Sequence, residues 1–304
     1  MTDRVQMNRA LLLGASGFLG PALSMAIGRC SSVATHFSHA IEGSIYFDAC
    51  RTPLAQVIAS LDQAPAIGVI LFGETRIDCC AKDPVGTAKI NVQGAIRAID
   101  EMREMGIIPV FVSSDAVFDG SRSWRREEDE TAPILSYGKQ KLEVERHLAS
   151  QPHPWLIVRL PKLLAVQHDP RCMMTGLIDA LGREERLLCA TDQFFTPAAA
   201  IDVANAIALL IRGEANGVFH LGGPERLSRR ELLEIVIDAY RKFAPVKAKI
   251  VDCSLRDISV LEVRPLDTSL NSHRFSEKFA YPFLDMASSA TAAVSAYFDK
   301  RRLA

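Results

Sequence analysis

Tyr137 and Lys141 stand four residues apart in Ser136-Tyr137-Gly138-Lys139-Gln140-Lys141, at the start of a predicted helix. That spacing puts both side chains on one helix face. A nearby ammonium favours phenolate and brings the tyrosine pKa toward the range useful for proton transfer. The same spacing also occurs on solvated helix faces, so its meaning depends on what else the chain supplies. Upstream, the apolar run 108–112 ends in Ser113-Ser114-Asp115. A hydroxyl there can share a carbonyl oxygen with Tyr137, while ordinary strand-end turn chemistry is the structural alternative for Ser114. Near the N-terminus, Gly14-Ala15-Ser16-Gly17-Phe18-Leu19-Gly20 separates the apolar run 10–13 from the helix-like stretch 21–27. Strand, glycine turn and helix N-terminus in that order suit a dinucleotide pyrophosphate, because glycines let the backbone approach the phosphates and the helix end offers unpaired N–H groups. Close strand–helix packing is the alternative for the glycines alone. The ordered combination of all three features is far rarer by chance than any one of them.

Positioning those residues takes a parallel sheet. The first half alternates β-branched apolar runs with helical stretches, the pattern of a doubly wound α/β fold with helices on both faces. Strands are predicted at 9–13, 32–36, 44–47, 68–72, 108–112 and 155–159, with helices near 18–28, 53–61, 84–104 and 136–150. In such a sheet, ligands bind at the carboxyl ends of the strands. Thr52-Pro53 and Asp83-Pro84 each predict a capping side chain followed by proline at the first helical position. Beyond about residue 160 the alternation loosens into helices near 174–182, 200–212, 228–242 and 286–299, with Ser228-Arg229-Arg230-Glu231 as a capping box. The expected organisation is a dinucleotide-binding domain over 1–160 and a smaller substrate lobe over 161–304. Segments near 185–215 are expected to return to the first domain.

Composition narrows the partners. The 304 residues carry 35 Lys and Arg against 36 Asp and Glu, a net charge of −1 that gives no electrostatic reason to expect nucleic acid or a membrane surface. Residues 10–28 lack charge, yet three glycines and Pro21 interrupt any spanning helix, so a cytoplasmic protein is expected. Seven cysteines form no C-x-x-C pair and suggest reduced, mostly buried thiols rather than disulfides. No metal site is expected: His147, His153 and His168 lack ligand spacing, and His220 suits a core histidine. Trp124, a single aromatic in a charged loop, is at most a stacking platform for a base or sugar.

These residues resemble the extended short-chain dehydrogenase/reductases, and within them the dTDP-4-dehydrorhamnose reductase branch, over most of the chain. Gly14–Gly20 resembles the cofactor turn. Thr75-Arg76-Ile77-Asp78, Asp83-Pro84 and Asn91-Val92 resemble the region of the fourth strand and its helix. Ser113-Ser114-Asp115-Ala116-Val117-Phe118-Asp119-Gly120 resembles the family's S-T-D-Y-V-F-D-G segment. Thr131-Ala132-Pro133, Asp192-Gln193, Thr196-Pro197, Ile201-Asp202-Val203-Ala204, Gly222-Gly223 and Arg264-Pro265 follow in family-like order.

The resemblance implies a Rossmann-type domain with a small C-terminal α/β substrate lobe, and a site between them. It implies that Tyr137 protonates a substrate carbonyl as hydride arrives, that Lys141 holds the nicotinamide ribose, and that Ser114 bonds the same oxygen. Cofactor contacts would come from Gly14, Ser16, Gly17, Phe18, Leu19, Gly20, Phe72 and Gly73, with Asp48 at the adenine or in a strand-end turn. Phe72 either narrows that pocket or packs in the core. No carboxylate ends the second strand, and Ser38 and His39 can donate to a 2′-phosphate or serve as plain loop residues. The expectation is NADP(H), with NAD(H) as the alternative. Ser114, Asp115 and Arg264 are the substrate-side candidates, a guanidinium being well suited to a diphosphate; an Arg-Pro turn is also a structural device.

The implied reaction is reduction of a keto group on a nucleotide-linked deoxysugar. Ala116 stands where related dehydratases carry Glu, which argues against elimination chemistry, and Arg159-Leu160-Pro161-Lys162 departs from the family's R-T-S-W, which leaves the sugar open. The alternatives are a sugar-nucleotide epimerase, an NADP(H)-binding sensor, and a non-catalytic subunit like the regulatory subunit of methionine adenosyltransferase. A homodimer is also left open.

Overall fold

The computed structural model describes residues 9–152, 154–167 and 169–302. Its centre is a seven-stranded sheet. In chain order the first six strands are β1 (Ala10–Leu13), β2 (Ser32–His36), β3 (Ile45–Tyr46), β4 (Ile67–Ile70), β5 (Ile108–Ser114) and β6 (Leu156–Leu160). Gly217–His220 lies beyond β6, and the order across the sheet is that strand, then β6-β5-β4-β1-β2-β3. The pairs β1–β2, β1–β4, β4–β5 and β2–β3 are all parallel, with Leu11 opposite both Val33 and Gly68. The order reverses at β1, so a crevice opens where the chain leaves β1 for one side and β4 for the other. Every residue of β1 is buried, as a strand covered on both faces requires.

The helices of this half are α1 (Gly20–Ile27), α2 (Leu54–Ala59), α3 (Ile77–Lys82), α4 (Pro84–Ala88), α5 (Ala95–Glu104) and α6 (Ser136–Ala149). Asp83 caps α4 by accepting from the Gly86 N–H at 2.8 Å, with Pro84 in the first turn. The expected cap at Thr52 is corrected: α2 starts at Leu54 with Pro53 as its cap residue. Thr52 Oγ1 accepts instead from the Asp48 N–H at 3.2 Å. The single helix expected over 84–104 is divided as well, because Lys89–Gly94 forms a π-turn between α4 and α5. Ile99 and Met102 of α5, Val144 and Leu148 of α6 and Phe111 of β5 share the main core.

The chain divides into two compact units. The first takes in the chain up to Ser114, Ser136–Arg159 and Ala204–Phe219; the second takes in Asp115–Leu135, Leu160–Val203 and the chain from His220 onward. The second unit carries the helices α7 (Met173–Leu181), α9 (Arg229–Arg241), α10 (His273–Phe279) and α11 (Met286–Arg302), while α8 (Ala200–Arg212) is shared along its length. Its strands Arg186–Ala190 and Lys249–Cys253 pair in parallel. The capping box at Ser228 and Glu231 forms as expected. No described helix is long and apolar enough to cross a membrane.

All seven cysteines are free, and the expectation that most are buried holds only for Cys80, Cys172 and Cys189; Cys30 and Cys50 are exposed. His220 is fully buried, with Nδ1 3.0 Å from the Arg125 carbonyl, and His147 pairs with Asp100 at 2.8 Å. His153 and His168 lie outside the described residues.

Gly20 opens α1 against the glycine turn, and a Cβ there would run into the Ala15 backbone carbonyl. Backbone cannot move aside as a flexible side chain can. Gly20→Ala is therefore expected to cost about 3 kcal/mol, at the upper end of overpacking penalties, read as a lowered thermal midpoint. Gly176→Ala in α7, where no atom lies within 4 Å of the added methyl, is expected to be neutral or stabilising.

Candidate active site

The glycine turn is built by its backbone. Gly14 has φ 85°, and a Cβ on it would sit 2.8 Å from the Phe72 backbone nitrogen, so only glycine fits between β1 and the segment after β4. Thr35 Oγ1 on β2 accepts from the Gly14 N–H at 3.0 Å and donates to the Leu12 carbonyl at 3.3 Å, tying the turn to the neighbouring strand. Gly17 N–H donates to the Gly14 carbonyl at 3.0 Å. α1 then begins with Leu19 as its cap residue and no side chain capping it, which leaves first-turn N–H groups for a ligand. Ser16, Phe18 and Leu19 lie in this turn, with Leu19 buried.

Beside it is a cavity of about 350 Å³ lined by Gly14, Phe37, Tyr46, Phe47, Asp48, Cys50, Arg51, Phe72 and Ile90, among others. Apart from Ile90 of the π-turn, these residues end or follow β1, β2, β3 and β4 at the carboxyl edge of the sheet, where parallel pairing gathers strand ends. Of the expected cofactor residues, Gly14, Asp48 and Phe72 line the cavity. Phe72 packs on the core, 6.1 Å from the Phe47 ring, and also lines the cavity. Asp48 accepts from the Cys50 N–H at 2.8 Å, a strand-end turn that still leaves it on the cavity wall. Ser38 and His39 are not among the lining residues; their side chains bond each other at 2.8 Å on the exposed surface. Arg51 is on the wall instead, its side chain 88% exposed and loosely paired with Asp48 at 3.8 Å. A largely apolar wall with four aromatic rings, one acid and one guanidinium suits an adenosine moiety.

Farther along the same edge, β5 ends at Ser114, and Asp115 opens the 3-10 turn Asp115–Val117. Tyr137 and Lys141 lie on the buried face of α6, at 8% and 7% exposure. Lys141 Nζ donates to the Val112 carbonyl of β5 at 2.9 Å and stands 4.7 Å from the Phe111 ring centroid and 5.8 Å from that of Tyr137. Burial pushes the Lys141 ammonium down to a pKa of about 8, against an opposing pull from Glu145. One turn farther along, Glu145 accepts from Arg159 of β6 at 2.8 Å, a pair buried on both sides.

Asn91, in the π-turn, joins the pieces. Its Oδ1 accepts from the Glu74 N–H at 2.7 Å, and its Nδ2 donates to the Glu74 carbonyl at 2.9 Å and to Gln140 Oε1 at 2.7 Å. Gly73, at φ 141°, lies directly against Asn91, where a Cβ would be 2.7 Å from Oδ1. Gln140 Nε2 in turn donates to the Pro84 carbonyl and Thr87 Oγ1, both at 2.9 Å. The loop after β4 is thereby locked to α6 between Tyr137 and Lys141. Sequence reasoning missed Gln140, Glu145 and Arg159, although Gln140 and Glu145 sit at polar positions on a helix face that otherwise buries Leu142, Val144 and Leu148.

In the second unit, Arg264 precedes Pro265, which packs where a side chain on Gly120 (φ 79°) would otherwise stand. Trp124 adopts φ 55° with its N–H bonded to Ser269 Oγ at 2.7 Å, so the backbone there serves a turn while the ring is 40% exposed.

Residues 7–298 match the family described as the RmlD substrate binding domain. The dTDP-4-dehydrorhamnose reductase of Sinorhizobium fredii is 26% identical over 239 residues, covering 76% of this chain and 79% of that protein. Methionine adenosyltransferase 2 subunit beta of Pongo abelii is 27% identical over 187 residues, covering 59% of this chain and 56% of that protein. Among solved structures, the dTDP-4-dehydrorhamnose reductase of Bacillus anthracis in complex with NADP shares the fold, with a TM-score of 0.81 and 20% identity over 97% of this chain and 100% of that chain.

Because folding lowers the Lys141 pKa from 10.5 to about 8, the fold disfavours the charged form. That penalty acts in full below about pH 8 and is relieved as pH rises toward 10.5. Lys141→Met is expected to raise the melting temperature near neutral pH, by at most about 3 kcal/mol of stability less the lost bond to Val112. The gap between variant and wild type is expected to close above about pH 10, read by melts across a pH series.

Proposed function

This chain belongs to the RmlD substrate binding domain family, and from that membership we propose that it reduces the keto group of a dTDP-linked 4-keto-6-deoxysugar with NADPH. The observation that carries the reading is the buried stacking of Tyr137 and Lys141 on α6 against β5, the strand that ends at Ser114. The Sinorhizobium fredii relative, named as a dTDP-4-dehydrorhamnose reductase, supports the substrate. The bacillary neighbour with NADP bound supports the cofactor.

The residues present fit a dinucleotide: the turn Gly14–Gly20, with glycine at 14, 17 and 20, and the uncapped start of α1 suit a pyrophosphate, and the aromatic cavity suits adenosine. NADPH supplies the hydride that reaches the carbonyl carbon. The Tyr137 hydroxyl gives its proton to the carbonyl oxygen, so that a C=O becomes a CH–OH. Ser114 Oγ donates to the same oxygen and orients it. The Lys141 ammonium holds the ribose hydroxyls and favours the phenolate left after proton transfer. On the substrate side, Asp115 and the Arg264 guanidinium are assigned to the sugar and the diphosphate. A cytoplasmic location accompanies this reading, supported by seven cysteines held as free thiols, and a homodimer is its proposed assembly.

The test is NADPH oxidation with a panel of keto-sugar nucleotides. Tyr137→Phe is expected to lower kcat by about 10²–10⁴ with NADPH affinity retained. Tight NADPH binding with no turnover on any panel member would favour a binding role, the direction in which the methionine adenosyltransferase subunit beta match points. Among the described residues lining the cavity, Arg51 is the cation, and it is assigned to the 2′-phosphate. Arg51→Ala is expected to weaken NADPH binding about tenfold or more, as loss of a charge-assisted bond implies, and to leave NADH binding unchanged.

A further inference from the structure

Tyr137, Lys141 and Glu145 follow one another at successive turns of the buried face of α6, and Arg159 reaches Glu145 from β6. The Glu145–Arg159 contact is multiple: Arg159 Nε lies 3.1 and 3.2 Å from the two carboxylate oxygens, and the terminal nitrogen 2.8 Å from one of them. Glu145, Arg159 and Lys141 are exposed by only 4%, 5% and 7%. A buried ion pair is a poor device for holding a helix to a strand, since well-packed apolar residues of similar volume do so as well or better. Its placement one turn from a buried ammonium gives it a different use.

We propose that Glu145, held in place by Arg159, is a positioning residue for the reduction: its fixed negative charge keeps Lys141 an ammonium and, through Lys141, sets the proton affinity of Tyr137. This rests on the reductase reading for its catalytic consequence but not for its electrostatic one. The groups facing Lys141 from each side leave Glu145 as the effective counter-charge. β5 contributes the Val112 carbonyl and the Phe111 ring, neither of which titrates. α3 contributes Cys80, whose thiol burial pushes up, so that it stays neutral. Cys80 in turn lies against Asn91 of the π-turn, an amide that carries no charge. On α6 itself the neighbours are Tyr137 and Glu145, and Glu145 opposes the desolvation that lowers Lys141.

The sign of the effect is the same whichever member of the Tyr137–Lys141 pair loses its proton first, because removing a nearby negative charge makes that loss easier. In protein labelled with ¹³C at lysine Cε, the Lys141 resonance is identified by its disappearance in Lys141→Met. The expected midpoint is about 8 in the wild type. In Glu145→Gln it should fall by about one pH unit, a tenfold loss of proton affinity. In Arg159→Met, which leaves Glu145 uncompensated, it should rise; Glu145→Asp should restore the wild-type value. The alkaline limb of kcat should move in the same directions while KM changes little.

If Glu145→Gln fails to fold because Arg159 is stranded, the double variant Glu145→Gln/Arg159→Met removes both charges together and should still lower the midpoint. A purely structural pair would lower thermal stability in these variants without moving the midpoint, and that outcome overturns the proposal. A midpoint that falls in a protein that turns over no keto sugar upholds the electrostatic role and sinks the reductase reading. Normal turnover with an unmoved midpoint does the reverse.

Discussion

Lys141 carries a charge at a position that is 7% exposed, and the surrounding elements are arranged as that burial demands. Removing an ammonium from water costs several kcal/mol unless it is paired and hydrogen-bonded. The chain meets this with one strand carbonyl, two aromatic faces and an anion one helical turn away. Each of these partners fixes something. The bond to Val112 sets the height of α6 against β5, and with it the level of Tyr137 relative to the end of the strand. The Phe111 ring is shared with the main core, so the polar stripe of α6 is continuous with the apolar packing of Val144 and Leu148. A helix that must present a cation, a phenol and a carboxylate inward has little freedom to rotate or slide.

The π-turn at Lys89–Gly94 answers a second constraint. The loop after β4 has to pass close to the glycine turn, where Phe72 fills the space that Gly14 leaves open. It must then be held without a regular partner strand. Asn91 does this through its side-chain hydrogen bonds, two of them to the Glu74 backbone in the manner of a strand neighbour and others to Cys80 and Gln140. A regular α-helix from Pro84 to Glu104 would rotate positions 89–94 by a different amount relative to α5. The wider turn lets the stretch before it cap on Asp83 while α5 still buries Ile99 and Met102. Such local widening is common where a helix carries a functional side chain, and here it connects the loop after β4 to α6.

How much of this the sequence disclosed depends on whether the signal was local. Ser32–His36 and Ala200–Arg212 fall where periodicity puts them, and the caps at Asp83 and Ser228 form, because each is written in a few adjacent residues. The Tyr137–Lys141 pair and Ser114 were legible for the same reason: spacing on a helix and position at a strand end are local properties. The Thr52 cap failed because the hydroxyl had a competing partner in the Asp48 N–H. The strand Gly217–His220 and the helix Ile77–Lys82 were missed; each is too short to show a period, and what stabilises them is tertiary. On the cavity wall, Ser38 and His39 drew notice as donors near the end of β2, yet it is Arg51, thirteen positions beyond Ser38, that the fold brings to the wall. Parallel strand pairing, not proximity in sequence, decides which side chain faces a ligand.

Glu145 and Arg159 were invisible for a deeper reason. A glutamate on a helix and an arginine in an apolar strand are read separately as a solvated face and an anomaly; only their meeting makes them intelligible. Once paired, they are costly relative to an apolar contact, and that cost is informative. A stripe of Tyr, Lys and Glu at successive turns of α6, closed by Arg159, makes the helix less stable than leucines would. Active sites tolerate such local destabilisation because the arrangement that reacts is seldom the one that packs best. The second unit has an ion pair of its own, Arg226 with Asp267 at 2.6 Å, but its guanidinium is partly exposed and lies over the Phe194 ring. The two pairs therefore differ in burial and in what they adjoin: Arg226–Asp267 ties together segments 41 residues apart in the second unit, whereas Arg159–Glu145 is buried on both sides and adjoins the ammonium on which the proposed proton transfer depends.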